Sequence, residues 1–238
     1  MQESDSKGKD ECEVEGICCD LERFISGVKG FKERFYRRYP EHMQQLVERG
    51  QRPVALMIAC SDSRVDPALL MNVAPGDLFV VRNVANLVPP YHGSSAPDGV
   101  GAALEYAVRH LHVPHVIVLG HAQCGGIKAL LDMATGAEFE SDFIGEWVSM
   151  AMEACWQYVP DASGEGLRRV SLERLKDYSY LVERAAIQGS LGNLLTYPWV
   201  REAVEKGRLF LQGWWFDLES GDLWVTSGDN SQFLPVTD

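Results

Sequence analysis

Val54-Ala55-Leu56-Met57-Ile58-Ala59, running into Cys60-Ser61-Asp62-Ser63-Arg64, is the stretch that decides the fold. A continuous apolar run between turn signals is the pattern of a strand buried on both faces. Leu78-Phe79-Val80-Val81 and His115-Val116-Ile117-Val118-Leu119 repeat it. Between them, Val100, Ala103, Leu104, Ala107, Val108 and Leu111 recur at helical steps over residues 99–111, and Pro114 ends that helix. Strand, helix, strand in this order predicts a parallel sheet with right-handed crossovers. Further helices are expected over residues 126–133, 141–158, 171–188 and 190–206. Leu209–Phe216 and Leu223–Thr226 flank a Ser220-Gly221-Asp222 turn and predict a hairpin at the sheet edge.

On the N-terminal side, residues 1–19 are polar and acidic and are expected to be disordered. From Asp20, a candidate N-cap, Leu21, Phe24, Ile25, Val28, Phe31 and Phe35 give one apolar helix face, which Pro40 stops. A second short helix is expected over 42–49. The fold class is therefore α/β: a mostly parallel central β-sheet with an antiparallel edge, flanked by helices. It forms a single domain over residues 20–238, with a helical arm over 20–50 whose apolar face suits a neighbouring subunit.

Composition narrows the function. The chain has 238 residues, with 22 Lys and Arg against 34 Asp and Glu, a formal net charge of −12. That balance argues against a nucleic-acid or anionic-membrane partner, because binding phosphates needs a basic face. The apolar runs are far shorter than the ~20 residues of a spanning helix. The first residues lack the apolar core of a secretory signal, so a cytoplasmic location is expected. In a reducing compartment Cys12, Cys18, Cys19, Cys60, Cys124 and Cys155 are thiols or metal ligands rather than bridges.

Cys60 closes the first buried strand, and His121 and Cys124 directly follow another as His-x-x-Cys. Ligands of an open parallel sheet bind beyond the carboxyl ends of its strands, where both segments deliver their side chains. Two thiolates and one imidazole suit Zn²⁺, and three protein donors leave a fourth position open, as in catalytic sites. The plainer alternative, two buried cysteines acting as small apolar residues, fits poorly with their polar neighbours. Asp62 and Arg64 stand two and four residues beyond Cys60. Arg64 can pair with Asp62 in a two-pronged bridge and keep it ionised beside the metal.

CSDSRVDP (60–67), RNVANLVPP (82–90) and GHAQCGG (120–126) together resemble the β-class carbonic anhydrases. SDFIGEWV (141–148) and SLGNLLTYPWV (190–200) are similar to the plant-type branch. The resemblance runs from about Phe31 to Phe216. It implies that Cys60, His121 and Cys124 bind one zinc per subunit, and that Asp62 and Arg64 form a catalytic dyad. It further implies a substrate pocket of Gln51, Phe79, Val84, Tyr106 and Gly125 at a dimer interface, with wall residues from both subunits. The implied activity is reversible hydration of carbon dioxide to bicarbonate and a proton by zinc-bound hydroxide. The implied assembly is a homodimer or a higher even-numbered homo-oligomer. A branch inhibited by bicarbonate has tryptophan three residues before the first cysteine ligand. Here Met57 stands there, so the expected state has Asp62 off the metal.

Three other readings compete: hydrolysis of carbon disulfide or carbonyl sulfide on the same fold, a thiol hydrolase with Cys60 or Cys124 as nucleophile and His121 as base, and a structural or sensor zinc site without turnover. Gly99-x-Gly101 resembles half of a dinucleotide fingerprint but lacks the preceding strand, and is read as packing at a helix start.

Overall fold

The apolar run does form a strand. In the computed structural model β1 (Ala55–Cys60) has all six residues buried. The structure describes residues 21–93, 97–138, 140–161, 163 and 166–236. The tail over 1–19 and the Asp20 cap lie outside these residues. The chain divides into two units, Met1–Gln51 and Arg52–Asp238.

In the first unit, helix α1 covers residues 21–31 and continues as a π-helical segment, Lys32–Arg37. Helix α2 (Pro40–Arg49) starts on Pro40, whose fixed φ suits a first helical position, and ends at Gly50 with φ 76°. Leu21, Phe24, Ile25 and Val28 on α1 are all more than half exposed.

In the second unit, a six-stranded sheet has the order β2-β1-β3-β6-β7-β8. Its strands are β2 (Leu78–Asn83), β3 (His115–His121), β6 (Phe210–Phe216), β7 (Leu223–Thr226) and β8 (Phe233–Pro235) besides β1. β2, β1, β3 and β6 run parallel, and β7 and β8 turn antiparallel at the edge. The expected fold class is the observed one.

The helices of this unit are α3 (Pro67–Leu70), α4 (Gly99–Glu105), α5 (Gly125–Ala134), α6 (Ile144–Ser149), α7 (Leu172–Asp177), α8 (Ser179–Leu194) and α9 (Pro198–Glu205). Strand periodicity splits the core. Leu56, Ile58, Val116 and Val118 pack with Leu104, Ile187, Leu194 and Trp215. Met57, Ala59, Ile117 and Leu119 face the other way, against Trp214 and Leu223. Helix α8 lies close on the sheet because Gly120 and Gly213 carry no side chain. A Cβ on either would stand 2.7 Å from Ile187.

Several helix boundaries differ from the sequence pattern. The helix expected over 141–158 is a short α6 and a 3₁₀ turn, Met152–Cys155, followed by strand β4 (Tyr158–Pro160). Tyr158 and Val159 favour extended backbone, and with Pro160 they pair with β5 (Leu167–Arg169) in a separate ribbon. The helix expected over 171–188 breaks at Tyr178 (φ −124°, ψ 46°). The next runs through Gly189 and Gly192 and stops before Pro198, which starts α9. Packing on the sheet outweighs the low helix propensity of those glycines. Asp98 caps α4 by accepting from the N–H groups of Val100 and Gly101; a Cβ at Gly101 would stand 2.6 Å from Asp98 Oδ2, the close packing expected there, whereas at Gly99 nothing lies within 4 Å. Among the described residues no helix is long and apolar enough to cross a membrane.

Candidate metal centre

β1 and β3 are adjacent and parallel, with Ala59 opposite Leu119, so their carboxyl ends lie side by side. Cys60 is the last residue of β1 and His121 the last of β3. Cys124 is the N-cap of α5. All three are at most 5% exposed. Their donor atoms lie within 4.8 Å of one another.

The geometry fits a tetrahedral zinc. The Cys60 and Cys124 Sγ atoms are 3.9 Å apart. Zn–S bonds of about 2.3 Å at a tetrahedral angle place two sulfurs about 3.8 Å apart. His121 Nδ1 lies 2.8 Å from the Ala122 carbonyl, which can only accept, so Nδ1 carries the hydrogen. That leaves the Nε2 lone pair free, and Nε2 is buried with no hydrogen-bond partner among the described residues. A metal ligand needs this tautomer and this second bond.

The thiols are prepared for a cation. The hydrogen bond with Cys124 lowers the Cys60 pKa against the effect of burial, and His121 and the N–H groups of Asp62 and Ala85 lower it further. The same hydrogen bond between the two sulfurs, then burial, pushes Cys124 up, opposed by the N–H groups of Ile127 and Gly126. A divalent cation between the sulfurs favours two thiolates.

Asp62 and Arg64 sit at the mouth. The Arg64 backbone N–H and Nε donate to Asp62 Oδ1, both at 2.9 Å, and Nη2 donates to Oδ2 at 2.7 Å. The side-chain hydrogen bond from Arg64, outweighing partial burial, holds the Asp62 carboxyl well below the usual carboxylate range. Asp62 Oδ2 is 3.9 Å from His121 Nε2. Arg64 Nη2 also reaches the Gln123 carbonyl at 3.3 Å, joining the β1 loop to the β3 loop.

The pocket residues implied by resemblance fall into three places. Val84 and Gly125 flank the centre: Val84 follows β2, and Gly125 opens α5. Phe79 and Tyr106 meet each other, with ring centroids 5.8 Å apart. Phe79 is in register with Leu56, four residues before the Cys60–Asn83 pair, or roughly 13 Å along the strand. They do not line the metal centre of their own chain. Gln51 is the last residue of the first unit and is exposed.

Three positions at the site escaped the sequence reasoning. Arg82 straps the CSDSR loop, donating to the carbonyls of Cys60 (3.0 Å) and Asp62 (2.6 Å) and to Asp66 Oδ2 (3.0 Å). Ala85 has φ 63°, a left-handed conformation that costs a non-glycine residue of order 1 kcal/mol, and its N–H helps to lower the Cys60 pKa. Glu183 reaches the backbone of Cys124 from α8. Arg82 and Ala85 lie in RNVANLVPP, and that motif was the available signal. Nothing local marks Glu183.

Comparison with known proteins agrees with the geometry. The family model described as "Carbonic anhydrase" matches residues 55–223. Beta carbonic anhydrase 3 of Arabidopsis thaliana is 39% identical over 207 residues, covering 86% of this chain and 76% of that protein. The structure of the β-carbonic anhydrase CcaA superposes with a TM-score of 0.74 at 31% identity, covering 92% of this chain and 93% of the other. One of two tetrameric β-carbonic anhydrases from Sordaria macrospora gives a TM-score of 0.67 at 25% identity, covering 92% and 98%. With its Cys60–His121–Cys124 centre at the carboxyl ends of a mostly parallel sheet, the chain belongs to the β class of the carbonic anhydrase family.

Proposed function

We propose that the protein catalyses the reversible hydration of carbon dioxide to bicarbonate and a proton. The observation that carries this reading is the buried three-donor centre with Asp62 Oδ2 held 3.9 Å from His121 Nε2 by Arg64. Cys60, His121 and Cys124 hold the zinc. When bound, zinc acidifies a water molecule and so supplies the nucleophile. Asp62, an acceptor at the centre, would orient the nucleophile that zinc supplies by taking a hydrogen bond from it. Arg64 keeps Asp62 ionised and fixed, an arrangement that supports the reading in which Asp62 stays off the metal.

Carbon dioxide offers no charge to grip, so an apolar wall suits it. Val84 supplies the part nearest the centre. Phe79 and Tyr106 of a second copy complete it, a reading supported by their distance from their own metal centre. The Gly125 N–H donates to the oxygen on which charge develops. The assembly is a homodimer or a higher even-numbered homo-oligomer joined through the 20–50 arm. The exposed apolar face of α1 supports this, as do the tetrameric relatives.

The test is the pH drop on mixing with dissolved CO₂, followed by stopped flow before and after zinc removal. Turnover that depends on zinc supports the proposal. Zinc-dependent hydrolysis of carbonyl sulfide or carbon disulfide without CO₂ hydration contradicts it, as does metal-free activity blocked by thiol alkylation. Sedimentation tests the assembly: an even-numbered oligomer is expected, and Phe24→Asp with Val28→Asp should yield smaller species.

A further inference from the structure

Glu183 is a buried carboxylate that the proposed reaction does not use. It lies on α8 and is 3% exposed. Three donors converge on it. Oε1 accepts from the Cys124 backbone N–H at 3.3 Å and from Ser179 Oγ at 3.0 Å, and Oε2 accepts from Trp215 Nε1 at 3.0 Å. A backbone amide and an indole N–H can only donate, whereas a serine hydroxyl can do either. Each carboxylate oxygen is thus committed to one group that offers nothing but a hydrogen.

We infer that Glu183 is a positioning residue: by holding the Cys124 amide it fixes the direction of the Cys124 sulfur and so sets how firmly the chain retains zinc. This rests on the reading of Cys60, His121 and Cys124 as the zinc ligands. The segment from Ala122 to Cys124 needs such anchors. Gln123 has φ 56°, an unfavourable conformation for a residue with a side chain. Cys124 stands at the N-cap, where its own N–H has no partner within the helix. Ala122 is tied to the Phe216 carbonyl at 2.8 Å, and Gln123 to Arg64. Glu183 supplies the tie on the ligand residue itself. Its other oxygen is fixed through Trp215 to β6, which Gly213 brings close to α8. Ligand, helix and sheet therefore share one carboxylate.

The chemistry dictates the variant. In Glu183→Gln one oxygen becomes an NH₂ group, and either orientation of the amide points that group at an N–H. The indole bond is the shorter, so the carbonyl oxygen stays with Trp215 and the Cys124 amide loses its acceptor. Trp215→Phe removes the competing donor. In the double variant Glu183→Gln with Trp215→Phe, the amide oxygen can return to Cys124.

Zinc affinity is measured on the purified holoprotein by competition with a chromogenic chelator, with circular dichroism confirming the fold. Glu183→Gln should bind zinc roughly 10–100-fold more weakly, the usual size for a group that orients a ligand. The double variant should recover most of that loss even though its melting temperature falls below that of Glu183→Gln. A merely structural role would make zinc retention follow melting temperature instead. Affinity within twofold of the unsubstituted protein in Glu183→Gln overturns the inference, as does a double variant no tighter than the single one. If Glu183→Gln does not fold, Trp215→Phe alone carries the test: it leaves the Cys124 bond intact and should retain zinc, and tenfold weaker binding overturns the inference. An unsubstituted chain that binds no zinc would instead refute the ligand assignment.

Discussion

Arg64 holds both carboxylate oxygens of Asp62, with Nε on Oδ1 at 2.9 Å and Nη2 on Oδ2 at 2.7 Å. The pair is two residues apart, so the loop closes on itself and presents the carboxylate to the centre in one orientation. A planar guanidinium makes such a two-point bond, and an ammonium cannot. Asp62→Asn should keep zinc and the fold but lose about 10²-fold or more in kcat. Arg64→Lys should fall between Asp62→Asn and the unsubstituted protein. Stopped-flow hydration with metal analysis on the same samples checks both, and full activity in Asp62→Asn would contradict the assigned role.

The acid side of the pH profile follows from the same bond. Arg64 lowers the Asp62 pKa from its ordinary 3.8. A depressed carboxylate contributes stability above that value and loses it as pH falls below. Asp62 is therefore ionised throughout a pH 5–9 assay and adds no limb to the profile. Two thiolates cancel the charge of Zn²⁺, so the metal's water is acidified less than in a three-histidine site. A single rise in kcat on the alkaline side of neutral is expected, and a bell with an acid limb near pH 5–6 assigned to Asp62 would contradict this.

Arg82 joins the ends of β1 and β2 behind the metal centre. Arg82→Ala removes donors from the Cys60 and Asp62 carbonyls and from Asp66. The loop then loses its strap while the zinc donors remain. Activity should drop about 10–100-fold, and zinc content should fall less than in Cys60→Ser. Unchanged activity would show that β1 alone fixes the loop.

Adjacent glycines at the start of α5 should behave oppositely. A Cβ at Gly126 would stand 2.7 Å from Val84 Cγ1 and 2.9 Å from the Ala85 Cβ, whereas at Gly125 nothing lies within 4 Å. Gly126→Ala should destabilise the fold by about 1–3 kcal/mol, the usual cost of overpacking, while Gly125→Ala should leave the melting temperature nearly unchanged. Thermal unfolding of the two variants decides it.

The sheet was legible because β1 and β3 are buried on both faces and so read as uninterrupted apolar runs, and the zinc donors were legible because they sit where those runs stop. The helical half was less so. The extension of α8 through Gly189 and Gly192 comes from packing on the sheet, which local propensity does not encode, and nothing local marks the break at Tyr178. β8 was missed because Phe233–Pro235 is too short to show alternation. Ala85 and Glu183 act through backbone N–H groups, which no side-chain spacing reveals. The resemblance points to Gly125 for its N–H, which Cβ space does not report; steric contact requires a glycine at its neighbour Gly126.

The most direct measurement is zinc content and CO₂ hydration on one preparation, for the unsubstituted chain and for Cys60→Ser. One zinc per chain with zinc-dependent hydration, both lost in Cys60→Ser, is the predicted result. A folded, metal-free protein that still hydrates CO₂ would contradict it.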